Sequence, residues 1–244
     1  MAIHTQSNVT ATNVRYSAFL GMLYVSTNET EALIKEAKAL VGESEVKKGY
    51  QGNKGDSPSA KAIAFLRDKN ISPVKVSGTL SSARVIQRAI DGRSIPYLNV
   101  GLKDDDGWVF ISVEIGQSAA QMLVRKLVNA TPGSQTTIGL FAKYEQRDGA
   151  SRAYANHGAT LCQNGTEIKG IDTQETLVPR INTAIKVLQD AGISKEENKE
   201  TFAIHRNKVE LDFHLELMQS VTEKFAATVS HDDFPADIPE KDPA

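Results

Sequence analysis

The chain has 244 residues, of which 40% are hydrophobic and 24% are charged, and this composition is typical of one globular domain of ordinary core size, with or without a small satellite. Its formal net charge of −2 excludes a strongly basic protein, so the overall charge does not demand a nucleic-acid partner. The single Cys162 excludes an intrachain disulfide and a metal site built from cysteines.

The first 70 residues predict an N-terminal strand-and-helix extension. Residues 1–13 are polar and are expected to be loose, whereas residues 16–25 are apolar with small residues among them, as in a strand. Residues 28–41 predict an amphipathic helix capped by Asn28 or Thr30. Residues 43–58, rich in Gly, Lys and Ser, are expected to be a flexible linker, and a second helix is predicted over residues 57–69.

The next block, residues 71–172, shows clear changes of period. Strands are predicted at residues 94–103 and 108–115, joined by an Asp-Gly turn. A helix follows at residues 118–130, and two further strands at residues 136–144 and 153–162. Residues 74–88 complete the order strand-strand-strand-helix-strand-strand if they form a strand, although residues 81–91 also fit a helix. This is the order of an OB-fold, a small Greek-key barrel that holds oligonucleotides or oligosaccharides.

The predicted fold class is therefore mainly β (α+β): a five-stranded, OB-fold-like Greek-key barrel at residues 71–172, with the extension at residues 1–70 before it. A C-terminal helical extension follows at residues 173–228, where helices are predicted at 173–190 and 194–228, and the spacing at 209–213 also fits a strand. Residues 229–244 contain three prolines and five acidic residues against one lysine. Such a segment buries too little apolar surface to order itself, so a disordered acidic tail is expected.

Aromatic rings alternate with cations on the predicted barrel strands and the long hairpin. Residues 71–169 contain eleven Lys and Arg against eight Asp and Glu, a local charge of +3, whereas the tail carries −4. Stacking of a base on a ring contributes ~1–3 kcal/mol and cations neutralise phosphates, so the pattern favours sequence-tolerant binding of a single strand of nucleic acid. The predicted nucleic-acid-binding residues are Tyr97, Asn99, Lys103, Trp108, Phe110, Phe141, Lys143, Arg147, Arg152 and Tyr154.

Two alternatives to this site stay open. Alternation on one strand cannot tell the inside of a barrel from the outside, so Trp108 and Phe110 could face the interior. The opposite face, with Ile111 and Val113, is the more uniformly aliphatic, which favours the exposed position for the rings. Arg147 and Arg152 also fit ordinary solvated hairpin charges.

No pattern of residues predicts catalysis. The acidic run at residues 104–106 lacks the spacing and the final Glu of a calcium loop, so a solvated turn is favoured. His157 and Cys162 lie five apart on a predicted strand, hence on opposite faces, which favours a core cysteine over a nucleophile. We predict no catalytic residue, no metal, no cofactor and no enzymatic activity.

Four segments carry a resemblance to a known family. The runs YLNVGLKDDDGWVFISVEI, SAAQMLVRKLVNATPG and TTIGLFAKYEQRDG resemble phage-type single-stranded DNA-binding proteins with an OB-fold. The run DDFPADIP is similar to the acidic tail tips of bacterial single-stranded DNA-binding proteins. The resemblance implies a role in DNA replication, recombination and repair, with the tail recruiting partner proteins and competing with DNA for the basic groove. The implied tail residues are Asp232, Asp233, Phe234, Asp237 and Ile238.

The chain departs from that family in two ways. Residues 240–244 follow the tail tip, so the tip does not carry the terminal carboxylate that a partner pocket could bind. Residues 1–70 and the helices after residue 173 have no counterpart in the short bacterial proteins, so whether the chain forms a homo-oligomer is open.

The competing functions are a structural or adaptor protein that touches no nucleic acid, and an RNA-binding or transcription-regulating protein that uses the same surface. The N-terminus has no basic-then-apolar leader, and the longest apolar stretch is far shorter than a membrane span. We expect no membrane association and a cytoplasmic location, in the host cytoplasm if the protein is phage-encoded.

Overall fold

The computed structural model describes residues 11–146 and 153–227, and these form a mixed α and β protein with eight strands and six helices. The strands are β1 (Ala11–Ser17), β2 (Met22–Val25), β3 (Val76–Ile90), β4 (Arg93–Asp104), β5 (Gly107–Glu114), β6 (Gln135–Glu145), β7 (Tyr154–Gln163) and β8 (Thr166–Glu167). The helices are α1 (Asn28–Val41), α2 (Glu43–Lys47), α3 (Pro58–Asp68), α4 (Ser118–Asn129), α5 (Leu177–Asp190) and α6 (Lys199–Ala226). The predicted tail, residues 229–244, lies outside the described ranges.

The strands form one curled sheet in the order β2-β1-β5-β4-β3-β6-β7-β8. Strands β1 and β5 pair in parallel, and the other neighbours are antiparallel. The curl brings β2 back to β6 at the pair Met22 and Phe141, but the barrel is not closed. The five-stranded OB-fold barrel is not confirmed, because the N-terminal residues supply two strands and β1, rather than a later strand, lies beside β5.

Local expectations were corrected in four places. Helix α1 is capped by Thr27, whose hydroxyl accepts a hydrogen bond from the Thr30 amide at 3.1 Å, and not by Asn28 or Thr30. Residues 11–13, expected to be loose, belong to β1, and the predicted strand at 16–25 is two strands. They are separated by a turn in which Gly21 adopts φ 64° and its amide donates to the Ser17 carbonyl at 2.8 Å. The predicted linker contains the short helix α2. The two ambiguous segments also resolve, since residues 81–90 lie in β3 and residues 209–213 in α6.

Strands β3 and β4 form a long hairpin that extends past its neighbours. Asp91 and Gly92 make the turn with φ values of 49° and 72°, the two positive angles that a tight two-residue hairpin turn requires. Strand β5 pairs with residues 97–104 of β4, and β6 pairs with residues 76–79 of β3. The tip of the hairpin, residues 87–96, therefore projects as a two-stranded ribbon.

The main core lies on the inner side of the sheet, under α4 and α6. It joins Val14 of β1, Val100 of β4, Leu123 of α4 and Phe225 of α6, all nearly or fully buried. This cluster therefore draws on the predicted N-terminal extension, the barrel block and the C-terminal extension together. A second cluster packs the outer side of β2 against α1 and α3.

A lysine on α6 holds the end of α4. The Lys224 Nζ donates to the carbonyls of Leu127, Val128 and Ala130 at 3.0, 2.7 and 2.7 Å. The last carbonyls of a helix have no partner inside the helix, and a cation at that end is favoured by the helix dipole. Lys224 thus caps α4 from a neighbouring helix and fixes α6 against it.

A buried histidine joins the same two helices. The Arg125 Nε donates to the His214 Nε2 at 3.1 Å, and the His214 Nδ1 lies 2.6 Å from the Glu210 carbonyl, to which it donates when neutral. Burial lowers the pKa of His214, and the positive charge of Arg125 adds to this effect. Protonation would add a hydrogen to Nε2, which could then no longer accept the hydrogen bond from Arg125. The neutral ring is therefore the form that fits this arrangement.

We expect the protein to lose stability as the pH falls below about 6.5, the ordinary pKa of histidine. The pKa values of His214 and His157 are both lowered by burial, so the unfolded chain binds more protons than the folded one in this range. The free energy of unfolding should then fall by up to about 1.4 kcal/mol per pH unit for each proton. Urea melts between pH 8 and pH 5 measure this slope.

The variant His214→Gln should reduce the slope, because one of the two titrating groups is gone. The matched control is His205→Gln, which changes an exposed histidine on the same helix and should leave the slope unchanged. A flat stability profile in the unaltered protein would contradict the assignment.

Candidate nucleic-acid interface

Four adjacent strands present one continuous outer face, on the side of the sheet away from the main core. In the register, Lys103 lies opposite Trp108, and Gly101 lies opposite Phe110. Asn99 lies between Ser112 of β5 and Arg84 of β3. We call this surface the outer face. It comprises Asn13 and Arg15 of β1, Trp108, Phe110, Ser112 and Glu114 of β5, Tyr97, Asn99, Gly101 and Lys103 of β4, and Ser82, Arg84, Ile86 and Arg88 of β3.

The aromatic pair of β5 is on the predicted side of the strand but is not exposed. Ile111 and Val113 face the main core, whereas Trp108 and Phe110 belong to neither hydrophobic cluster. Their rings stack in parallel, with centroids 5.6 Å apart and an interplanar angle of 3°. Trp108 is nevertheless only 2% exposed and Phe110 5%, so the expectation that both rings face solvent is wrong. Stacking covers one face of each ring, which contributes to this burial.

A glycine provides the space that Phe110 occupies. A Cβ atom on Gly101 would lie 2.9 Å from the Phe110 ring and would overlap the Ser82 Oγ. Real Cβ atoms do not approach other atoms so closely, so the ring and the hydroxyl fill the volume above the glycine. The position of the aromatic stack therefore depends on Gly101.

Four cations surround these rings. The Arg88 guanidinium lies 4.5 Å from the centroid of the half-buried Tyr97 ring and its Nη2 donates to the Ser112 Oγ at 2.7 Å. The Lys103 Nζ lies 6.0 Å from the Trp108 ring. Arg84 is exposed, and the Arg15 Nη1 lies 3.5 Å from the Glu31 carboxylate. Cations placed on aromatic rings combine phosphate neutralisation with a stacking surface.

Two polar side chains between these rings and cations each have a buried oxygen without a hydrogen-bond partner. Within the described residues, neither the Ser82 Oγ nor the Asn99 Oδ1 has a partner. Asn99 was predicted as exposed and is only 7% exposed, because Ser112 and Arg84 flank it in the register. Buried polar groups are normally paired, so two unpaired ones on the same face indicate a place where a ligand or water would be bound.

The remaining predicted residues lie elsewhere. Phe141 and Lys143 are on β6 and Tyr154 is on β7, so β4 and β3 lie between them and Trp108 in the strand order. The Lys143 Nζ lies 5.9 Å from the Phe141 ring. Arg147 and Arg152 lie outside the described residues, as do the tail residues Asp232, Asp233, Phe234, Asp237 and Ile238.

No family model, curated protein or solved structure matches this chain. The resemblance to single-stranded DNA-binding proteins therefore stays a prediction. Among the residues that the structure describes, no helix is both long and apolar enough to cross a membrane, and no three His, Cys, Asp or Glu side chains group as metal ligands.

The acidic run at residues 104–106 lies in an exposed turn. There the Asp104 carboxylate accepts a hydrogen bond from the Asp106 amide at 3.0 Å.

Sequence reasoning missed three of the four cations, namely Arg15, Arg84 and Arg88. Arg84 and Arg88 share a face because β3 continues through residue 90, and the ambiguity between helix and strand over residues 81–91 concealed this. Their spacing of four, with Ile86 between them, was the available signal for one face of a strand. Arg15 had no local signal, since it reaches the site only through the pairing of β1 with β5.

Proposed function

We propose that this protein binds single-stranded DNA without sequence preference, along the outer face. The observation that carries the proposal is the outer face itself: Arg15, Arg84, Arg88 and Lys103 around Tyr97 and the stacked pair on β5. A single strand needs cations along its phosphates and flat groups for its bases, and no base-specific contacts. The unpartnered atoms of Ser82 and Asn99 add polar contacts for sugar or base edges.

The burial of Trp108 changes the part that each ring plays in this proposal. Tyr97, half-buried under Arg88, is the ring on which a base stacks first, and the Trp108–Phe110 pair supports the surface from beside it. A base can stack on the Trp108 indole only if binding uncovers that ring.

The order of β3, β4, β5, α4, β6 and β7 remains that of an OB-fold, and we propose that this part of the sheet is OB-like.

We further propose that the tail, residues 229–244, competes with DNA and recruits replication or recombination proteins. Its charge of −4 is opposite in sign to the cations of the outer face. The tail and the phosphates of DNA would therefore compete for the same cations. Helix α6 ends at Ala226, so a chain that stops at residue 228 keeps all described elements.

Titration of a fluorescent oligo-dT into the full chain and into the chain ending at residue 228 tests the proposal. We expect binding whose affinity falls with salt at a log–log slope of about −2.8 for four neutralised phosphates, at about 0.7 each. The shortened chain should bind more tightly, and Trp108 emission should change in both. Unchanged affinity on removal of the tail would contradict the competition, and a matched RNA strand that competes better than DNA would favour the RNA-binding role.

One observation favours the second candidate, a non-enzymatic structural or adaptor protein. Trp108 and Phe110 are covered, at 2% and 5% exposure, and a covered aromatic pair is typical of a scaffold rather than a stacking platform. An adaptor would leave oligonucleotides free at micromolar protein in a gel-shift experiment, whereas the first proposal requires a shifted band.

A further inference from the structure

A cavity of about 450 Å³ opens beside the contact between β2 and β6, also away from the main core but on a different part of the sheet from the outer face. It lies between the turn after β1, helix α3, the segment leading into β3, and strand β6. Tyr50, Arg67, Lys75, Gly139 and Phe141 are among its lining residues. Its volume falls in the range of small-molecule sites, roughly 300–1,000 Å³, and its lining is mainly apolar with a few polar groups, as such sites are.

On β6 the wall of the cavity includes Gly139 and the Phe141 ring. A Cβ atom on Gly139 would lie 2.9 Å from the Thr160 Oγ1, so the backbone itself borders the cavity there. The Phe141 ring folds over Gly158, where a Cβ atom would lie 2.6 Å from the ring. One face of this half-buried ring is thereby fixed, and the ring lines the cavity beside Tyr50. A planar ligand can lie against such a wall.

The two charged residues that line the cavity, Arg67 and Lys75, are both positive. Arg67 and Lys75 line it and are exposed, and the Lys143 Nζ lies 5.9 Å from the Phe141 ring. Within the described residues none of these three cations forms an ion pair, and no carboxylate lines the cavity. An anionic group is therefore favoured at the mouth, next to an aromatic wall.

We infer that this cavity binds one nucleotide, with its base against Phe141 and its phosphate between Arg67 and Lys75. A base supplies the planar face and a phosphate supplies the charge, so one ligand unit satisfies both halves of the site. The inference rests on the proposed function where the nucleotide belongs to the bound single strand, which then contacts both the outer face and this cavity. A free nucleoside monophosphate has the same chemistry.

The experiment measures binding of dTMP and of a long oligo-dT by calorimetry, with the full chain and two double variants. In Arg67→Gln/Lys75→Gln, dTMP binding should be lost and the salt slope for oligo-dT should become less steep by about 0.7, for the one phosphate that lies between these two residues. The matched control is Lys35→Gln/Lys61→Gln, which removes two exposed cations that do not line the cavity and changes the net charge equally. It should bind both ligands as the unaltered chain does.

Phe141→Leu tests the base contact while it keeps most of the ring's volume over Gly158. We expect dTMP and oligo-dT to bind at least about fivefold more weakly, the lower end of the range for loss of one stacked base. Thermal melts show whether Phe141→Leu is folded. If it is not, the Arg67→Gln/Lys75→Gln variant and its control still test whether the cavity binds a nucleotide.

The outcomes separate this inference from the proposed function. If oligo-dT binds but the cavity variants behave as the control does and dTMP does not bind, the nucleotide site is wrong and the outer face stands. If dTMP binds and oligo-dT does not, the cavity holds a free nucleotide and the proposed function fails. If neither ligand binds, both are overturned.

Discussion

Replacing Arg84, Arg88 and Lys103 together by glutamine is expected to remove most of the salt-dependent affinity for single-stranded DNA. These residues supply three of the four cations of the outer face, so the log–log salt slope should become less steep by about 2.1, at about 0.7 for each phosphate. Fluorescence anisotropy of labelled oligo-dT at four salt concentrations gives the slope and the affinity.

The matched control for this triple variant is Lys186→Gln/Arg206→Gln/Lys208→Gln. It removes the same charge from α5 and α6, where each residue forms an exposed ion pair with an acid four positions later. Such pairs contribute only about 0.3–0.5 kcal/mol, so the control should fold and bind normally. Equal loss of affinity in both variants would mean that overall charge, and not the outer face, attracts the DNA.

Gly101→Ala is expected to destabilise the protein by about 1–3 kcal/mol, the usual cost of an extra methyl group in a packed site. The new methyl would press on the Phe110 ring, 2.9 Å from the Cβ position, and on the Ser82 Oγ. Since Phe110 stacks on Trp108, the emission of the single tryptophan should change as well. Urea melts and emission spectra of the folded protein measure the two effects.

Gly116→Ala is the comparison for this second prediction. Gly116 is exposed after β5, and a Cβ there would lie 3.3 Å from the movable end of the Glu114 side chain. Its stability should stay within about 0.5 kcal/mol of the unaltered protein. Should Gly101→Ala prove equally mild, with an unchanged emission spectrum, the aromatic pair does not depend on that glycine.

Local patterns predicted the central part of the fold, because their causes are local. The turn predicted at residues 104–107 is present, with Asp105 and Asp106 between the paired Asp104 and Gly107, and the change of period between β5 and α4 lies near the predicted residues. The alternation that puts Ile111 on one side of β5 and Phe110 on the other was also readable, since successive side chains of a strand point to opposite faces.

The burial of the aromatic rings could not be predicted from local sequence patterns. Whether Trp108 is exposed depends on what packs over it, and that is not a property of one strand. The role of Gly101 requires the register between β4 and β5, and the role of Arg15 requires a parallel pairing between residues almost a hundred positions apart. Long-range pairing leaves no signature in a short window of sequence.

The contribution of α6 to the core has a consequence for the nascent chain. Met218, Val221 and Phe225 complete the apolar interior beneath the sheet, yet they are among the later residues to be synthesised. At roughly 5–20 residues per second, on the order of ten seconds separate the synthesis of α4 from that of α6. Throughout that interval the ribosome carries a half-built protein with its apolar side open, so translation speed and chaperone access determine how much of it reaches the native state.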